Sequence, residues 1–239
     1  MKDKKVIFHI GFNTFEFDFV FINKNLEPQR LKKEWIDYRM DVFMKHTYKS
    51  LINQTNQSFT AVVNYVKASE NLIFEALSKY PKLAENVIFT CEGEKVIKNL
   101  ISDYEYLYMV RLDSDDMYHP SFVQQLIDFD DNSVQCIINQ EGYVYDINED
   151  KLGLWYALSP PFYTHIYKVD EYLKGYRHKL EGGHLGAINL NHKILQKGNF
   201  MVIIHGGNTS TTFSNHNCTK SVIDDKSLKK QILNEFNIN

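Results

Sequence analysis

The chain has 239 residues, 44% hydrophobic and 24% charged, and a formal net charge of −3 from 27 basic and 30 acidic side chains. That length can bury a substantial core in one domain, and the balanced charge, with no long block of Lys or Arg, offers no electrostatic footprint for nucleic acid. Cys91, Cys136 and Cys218 are odd in number and widely spaced, so they suggest neither a disulfide framework nor a zinc site, and a reduced cytoplasmic setting is expected.

The N-terminal MKDKKVIFHIGF is basic and then briefly apolar, but His9 and Gly11 interrupt it and no small-residue cleavage site follows. No run approaches the roughly 20 apolar residues of a spanning helix, so any membrane contact would be peripheral, at the inner face. Val6 to Ile10 reads as a first buried strand, ending at Gly11, Phe12 and Asn13. Leu31 to Asn53 carries apolar residues at helical spacing, including Leu31, Trp35, Tyr38, Val42, Tyr48, Leu51 and Ile52. Ser58 to Val66 is a second strand. The helical pattern of Leu72, Ile73, Ala76, Leu77 and Tyr80 follows, ended by Pro81. Val87 to Thr90 is a third strand, Val96, Ile97, Leu100 and Ile101 mark a third helix, and Tyr106 to Leu112 is the fourth strand. This alternation predicts an α/β fold, Rossmann-like, with a mostly parallel sheet flanked by helices on both faces.

The fourth strand stops at three carboxylates, Asp113, Asp115 and Asp116, in MVRLDSDDMYHP. Three like charges cannot share a dry core without a cation, so the cluster reads as a metal seat opening into a cleft. Asp113 and Asp115 would share one side of an extended segment while Asp116 turns away. Their oxygens suit Mg2+ or Mn2+, which keeps positions open for a substrate phosphate. A solvated acidic turn is the alternative that the tripeptide alone allows. Pro120 is placed for the first turn of a helix bearing Phe122, Val123, Leu126 and Ile127. Ligands of open α/β sheets lie beyond the carboxyl ends of the strands, where Gly11 to Asn13, Asn64 to Val66 and Asp113 to Asp116 all fall.

Further on, Val134 to Ile138 continues the strand pattern, and Gly142 to Ile147 with Gly153 to Leu158 reads as a hairpin. Ser159-Pro160-Pro161 breaks regular structure, a helix is expected to carry Ile194 and Leu195, and Met201 to Ile204 is a last strand ending at His205. The amphipathic SLKKQILNEF, Ser227 to Phe236, is expected to cover a sheet edge or the core. Arg39 and Arg111 each lie amid apolar neighbours; either could neutralise phosphate, and Arg111 could equally pair with the adjacent acids. Trp155, Tyr156, Phe162 and Tyr163 could stack on a sugar or simply pack the core.

The segment VRLDSDDMYHPSF resembles the D-x-D segment of nucleotide-sugar glycosyltransferases of the GT-A fold, and is most similar to a bacterial rhamnosyltransferase-like group related to glycosyltransferase family 2. FMKHTYKSLINQTNQSF, Phe43 to Phe59, resembles the first-helix segment of that group at Thr47, Ser50, Leu51, Gln54, Thr55 and Phe59. The likeness continues through SPPFYT, Ser159 to Thr164, and HGGNTST, His205 to Thr211.

The resemblance implies one GT-A domain over 1–239, with a nucleotide-binding half at 1–130 and a more irregular acceptor-binding half at 131–239. It implies metal-dependent transfer of a hexosyl or deoxyhexosyl group from a nucleotide-diphosphate donor to a glycan or other hydroxyl acceptor, such as a bacterial surface polysaccharide. Asp115 would bind Mn2+ or Mg2+ and Asp113 would approach ribose or metal-bound water. His205 would be a late metal ligand, or would cap the Gly206-Gly207 turn. Gly11, Phe12, Asn13, Asn64 and Arg111 would meet the nucleotide, and Asn208, Thr209, Ser210 and Thr211 would order around the phosphates or form a plain polar surface loop. Asp116 would orient the loop or contact the acceptor.

Such a transfer makes the sugar carbon oxocarbenium-like and loads the leaving diphosphate with charge, which a divalent cation neutralises. Glu181 in LEGGH is the candidate base, with Gly182 and Gly183 allowing close approach and His184 offering a hydrogen bond, unless the segment is simply a loop turn. The family has an acidic pair here, so this departure leaves the base and the stereochemistry open, and favours the alternative of a carbohydrate- or nucleotide-binding module without transfer. A phosphohydrolase using Asp113 as nucleophile, with Val222-Ile223-Asp224-Asp225 as a later acidic motif, lacks the Thr or Val expected after Asp113. A calcium loop is excluded by Tyr118 where Gly is needed and Gln124 where Glu is needed.

Overall fold

The computed structural model describes residues 2–14, 27–195, 197–208, 211–214 and 217–238. In chain order the first half runs β1 (Lys2–Gly11), α1 (Glu27–Arg30), α2 (Lys33–Lys45), α3 (Thr47–Ile52), β2 (Phe59–Asn64), α4 (Glu70–Leu77), β3 (Val87–Thr90), α5 (Gly93–Ile101), β4 (Tyr104–Arg111), β5 (Met117–Tyr118) and α6 (Phe122–Asp128). The second half adds β6 (Cys136–Ile138), β7 (Glu141–Asp146), β8 (Lys151–Tyr156), β9 (Tyr163–Lys168), α7 (Val169–Leu173), β10 (His192–Ile194), β11 (Phe200–Ile204), β12 (Thr219–Val222) and α8 (Lys226–Glu235).

A seven-stranded sheet has the order β10-β6-β9-β4-β1-β2-β3, and β4, β1, β2 and β3 are parallel neighbours. Only β9 runs against its neighbours β4 and β6, so the sheet is mostly parallel, as the alternating pattern requires. Its central strands are apolar on both faces for a reason. Val6, Phe8 and Ile10 of β1 enter one core cluster with Ile36, Met40 and Phe43 of α2, while Ile7 enters a second cluster with Ile97 and Ile101 of α5 and Tyr172 of α7. Helices on both sides therefore cover the central strands.

The second sheet, β12-β8-β7-β11-β5, packs Val144, Trp155, Phe200 and Val202 into the first of those clusters. Its opposite face carries Met117, Leu152, Met201 and Ile203, and α8 closes it with Ile232, followed by Phe236. The amphipathic C-terminal segment thus covers the domain's own core. Phe162 joins the sheets, stacked on Phe200 at 3.9 Å between centroids and edge-on to Tyr118. Trp155, Phe162 and Tyr163 are buried, so their rings serve packing.

Four expectations change. The long first helix breaks at His46, where φ −121° and ψ −72° leave the helical region, so that α3 can dock against the acidic loop. Pro120 precedes Ser121, the N-cap of α6, instead of lying in its first turn. The segment around Ile194 is the edge strand β10, paired with β6 from His192↔Cys136 to Ile194↔Ile138, because tertiary pairing outweighs a short apolar pattern. Strand β9, which no sequence pattern announces because it follows directly on the Pro-Pro break, lies between β4 and β6, so both halves of the chain build one sheet.

Candidate active site at the carboxyl edge of the sheet

Because β1, β2 and β4 are parallel neighbours, with Gly11 level with Asn64 and His9 level with Arg111, their carboxyl ends deliver three loops to one edge. The acidic loop is fixed there by α3. The Thr47 hydroxyl donates to the Asp116 carbonyl at 2.9 Å. The Gln54 amide donates to the His119 carbonyl at 2.9 Å, while its oxygen accepts from the Val123 N–H at 3.0 Å. The Thr55 N–H donates to the Pro120 carbonyl at 2.8 Å. The Thr47, Gln54 and Thr55 pattern in the sequence is therefore a clamp on the loop.

The repulsion among the three acids is answered inside the protein. Arg39 of α2 places Nη1 2.9 Å from Asp115 Oδ2, and Arg111 places Nη2 2.9 Å from Asp113 Oδ1 while Nη1 donates to the Pro161 carbonyl at 2.8 Å. Burial alone would raise the Asp115 carboxyl, but the Arg39 guanidinium holds it well below the usual carboxylate range. Asp116 is buried and accepts from the Ile203 N–H at 3.0 Å, tying the loop to β11. Burial, reinforced by repulsion from Asp115 and Asp113, pushes its carboxyl well above the usual range. Asp116 thus orients the loop, and the cations that compensate its neighbours are two guanidinium groups.

His205, just past β11, completes the cluster with Nε2 3.2 Å from Asp115 Oδ2 and 3.2 Å from Arg39 Nη1. Tyr38 Oη lies 2.7 Å from both the His205 carbonyl and His205 Nδ1. The phenol has one proton; donated to the carbonyl, it makes Nδ1–H the ring donor and leaves the Nε2 lone pair facing Asp115 and Arg39. The Gly207 N–H, 3.3 Å from Nδ1, is the weaker competitor for that nitrogen.

Of the donors read as a metal seat, Asp115 Oδ2 and His205 Nε2 have the separation of about 3 Å that adjacent ligands take on an ion bound at about 2.1 Å. They fit a divalent ion as a two-donor edge. Asp113 faces Arg111 instead, its side chain 40% exposed, and among the described residues no three His, Cys, Asp or Glu side chains converge on one point.

The nucleotide candidates divide. Phe12 packs its ring edge-on against Trp35, Phe43 and Phe89 in the core. Asn13 is fully buried and committed, donating to Ser69 Oγ and the Arg30 carbonyl and accepting from the Val66 N–H. Gly11 ends β1, leaving Asn64 as the open group: its buried Oδ1 has no hydrogen-bond partner among the described residues. Asn64 also lines a cavity of about 440 Å3 with Cys91, Glu92, Gly93, Glu94 and Lys95.

Asn208 closes the turn after β11, accepting from the His205 N–H and donating to the Ile203 carbonyl, both at 2.8 Å. Thr209 and Ser210 lie outside the described residues. Glu181 is exposed and 3.8 Å from Lys179, and His184 is exposed on the next turn, its carbonyl accepting from Ser159 Oγ at 2.8 Å. This loop reaches the SPP segment that Arg111 holds, but Glu181 has no contact with the acids. Tyr38 and Ser114, whose Oγ accepts from Arg39 Nη2 at 2.8 Å, were not singled out from sequence as site residues. One signal was available: Tyr38 and Arg39 are adjacent on a helix, so a polar pair there cannot both face the core.

No family model and no curated protein matches the chain. Among solved structures it is similar to S. aureus TarS 1–349, with a TM-score of 0.42 and 13% identity over 97% of this chain and 70% of that one. It is also similar to a longer S. aureus TarS structure, with a TM-score of 0.41 and 16% identity, covering 99% of this chain but 43% of that one. A cytidylyltransferase from Leptospira borgpetersenii matches with a TM-score of 0.40 and 10% identity over 83% of this chain and 78% of that one.

Proposed function

We propose that the chain is a glycosyltransferase that takes a hexosyl or deoxyhexosyl group from a nucleotide-diphosphate donor to a glycan or other hydroxyl acceptor. The observation that carries this reading is the gathering, on one carboxyl edge, of Arg39, Arg111, Asp113, Asp115 and His205. The odd number and wide spacing of the cysteines favour a reduced, cytoplasmic setting.

Donor cleavage leaves a diphosphate carrying new negative charge. Arg111 and Arg39 are the cations at this edge, and a guanidinium suits phosphate oxygens through paired N–H donors. Asp115 and His205 would hold Mn2+ or Mg2+, which when bound neutralises the same leaving group. Asn64 Oδ1, buried and unsatisfied among the described residues, would accept a hydrogen bond from the nucleoside. Glu181, on the exposed loop beside the SPP segment, would take the acceptor hydroxyl proton, with His184 nearby.

Calorimetry with UDP, GDP, CDP and dTDP, each with and without Mn2+, tests the donor site. The expected result is metal-linked binding of at least one, abolished by Asp115→Ala; absence of binding by all four overturns the reading. The exposure of Glu181, whose ion pair is with Lys179, favours a second reading, a donor-binding module without transfer. Sugar-nucleotide turnover over a panel of acceptors, run once donor binding is established, separates the two.

A further inference from the structure

Arg39 is in contact with the same two atoms that fit a divalent ion. Its Nη1 lies 2.9 Å from Asp115 Oδ2 and 3.2 Å from His205 Nε2. A guanidinium and a doubly charged ion cannot share that edge, because at such separations their repulsion is strong in a poorly solvated site. The side chain is only 10% exposed, so water does little to screen it.

The arginine, whose guanidinium also lies 5.8 Å from the Trp35 ring centroid, is incompletely hydrogen-bonded. Nη2 donates to Ser114 Oγ at 2.8 Å, but the buried Nε–H has no acceptor among the described residues. A buried donor left unpaired weakens the arrangement that leaves it so, and an anion with several oxygens would satisfy it. Asp115 sets the opposite constraint, since a carboxylate at this depth needs a positive partner at every stage.

We infer that Arg39 is an exchangeable counter-ion. In the free protein it neutralises Asp115 and covers the Nε2 lone pair of His205; when donor and divalent ion arrive, the ion takes that edge and the guanidinium turns to the diphosphate. Asp115 is never left unpaired, and the ion binds its seat more tightly when a phosphate is present to receive the arginine. The inference rests on the donor site proposed above and adds to it an ordered coupling between metal and phosphate. A merely structural brace behaves differently: removing it weakens every ligand, whereas removing an exchangeable counter-ion moves the two ligands in opposite directions.

The test uses Mn2+ alone, titrated into the nucleotide-free protein and followed by the electron paramagnetic resonance signal of the free ion, and then inorganic pyrophosphate titrated in saturating Mn2+. Arg39→Gln should bind Mn2+ about tenfold or more tightly than wild type, since the competing charge is gone and Asp115 is left exposed to the ion. The same variant should bind pyrophosphate about tenfold more weakly. Arg39→Lys keeps the charge and should leave Mn2+ affinity near wild type. Ser114→Ala frees only Nη2 and should tighten Mn2+ by a smaller factor, so it decides the matter even if Arg39→Gln fails to fold.

Unchanged or weaker Mn2+ binding in both Arg39→Gln and Ser114→Ala, or no Mn2+ binding to any of the proteins, overturns the exchange. The Mn2+ titration needs no nucleotide. Its failure is therefore distinct from failure of the donor site, which the nucleoside diphosphate calorimetry reads independently.

Discussion

The Thr47 hydroxyl, fully buried at the start of α3, donates at 2.9 Å to the backbone carbonyl of Asp116, 69 residues away in sequence. One side-chain proton thus joins the first helical segment to the acidic loop, and the loop's geometry depends on it. Thr47→Val keeps the shape and removes the donor, leaving a buried carbonyl short of a partner. A loss of about 1–3 kcal/mol of stability is expected from urea denaturation, together with weaker nucleotide binding. A variant as stable as wild type would show that α3 does not restrain the loop.

Asp116 behaves differently from its two neighbours. Its folded pKa is raised above the unfolded value, so its contribution to stability is fully present below the unfolded pKa and is lost as pH rises through the folded one. Asp116→Asn retains an oxygen for the Ile203 N–H and never ionises. It should gain stability relative to wild type as pH rises above about 4, then hold a constant advantage. Asp116→Ala, which removes the acceptor, should instead cost about 1–3 kcal/mol. Denaturation midpoints across pH 3 to 8, values of roughly the range where a buried carboxyl titrates, distinguish these outcomes.

Tyr38, 41% exposed, contributes little to the core but sets the ring state of His205. In wild type the imidazole should carry its proton on Nδ1, visible in nitrogen chemical shifts. Tyr38→Phe removes that partner and should give a mixed population with a stability change of only about 1 kcal/mol. Identical shifts in the two proteins would mean that the Gly207 amide, not Tyr38, governs the tautomer.

His165 on β9 lies between the rings of Tyr163 and Tyr167 and faces His178, and burial first, then the His178 charge, pushes its pKa down to about 3. A lowered histidine contributes stability present above the unfolded pKa of about 6.5 and lost as pH falls toward the folded one. His165→Gln should therefore lose stability less steeply than wild type as pH falls below about 6.5. His9 and His46, both pushed down to about 4 by burial, keep part of the slope in the variant. Parallel curves for the two proteins would contradict this assignment.

The parallel half of the main sheet was readable because its residues repeat a local rule. Val6 to Ile10 and Ser58 to Val66 contain strands buried on both faces and Val87 to Thr90 and Tyr106 to Leu112 are partly so, so their composition reports the strand directly, and all four appear as β1 to β4. The hairpin of β7 and β8 was readable from its turn. Strand β10 was not, since three residues at a sheet edge gain their form from β6. Nor was β9, whose antiparallel place between β4 and β6 is set by pairing across the sheet.

At the site, the sequence by itself determined that three carboxylates end a buried strand beside other strand ends, because that follows from spacing along one segment. It also determined that they require positive charge nearby, because buried like charges repel in any fold. Only the tertiary structure decided where that charge comes from at Asp115: Arg39, 76 residues away in sequence, meets it, with the His205 ring, 90 residues away, alongside, across two elements whose packing no local pattern encodes. Electrostatic need is a property of composition, whereas the identity of the compensating group depends on distances of a few ångströms that arise when α2 and β11 dock on the same edge.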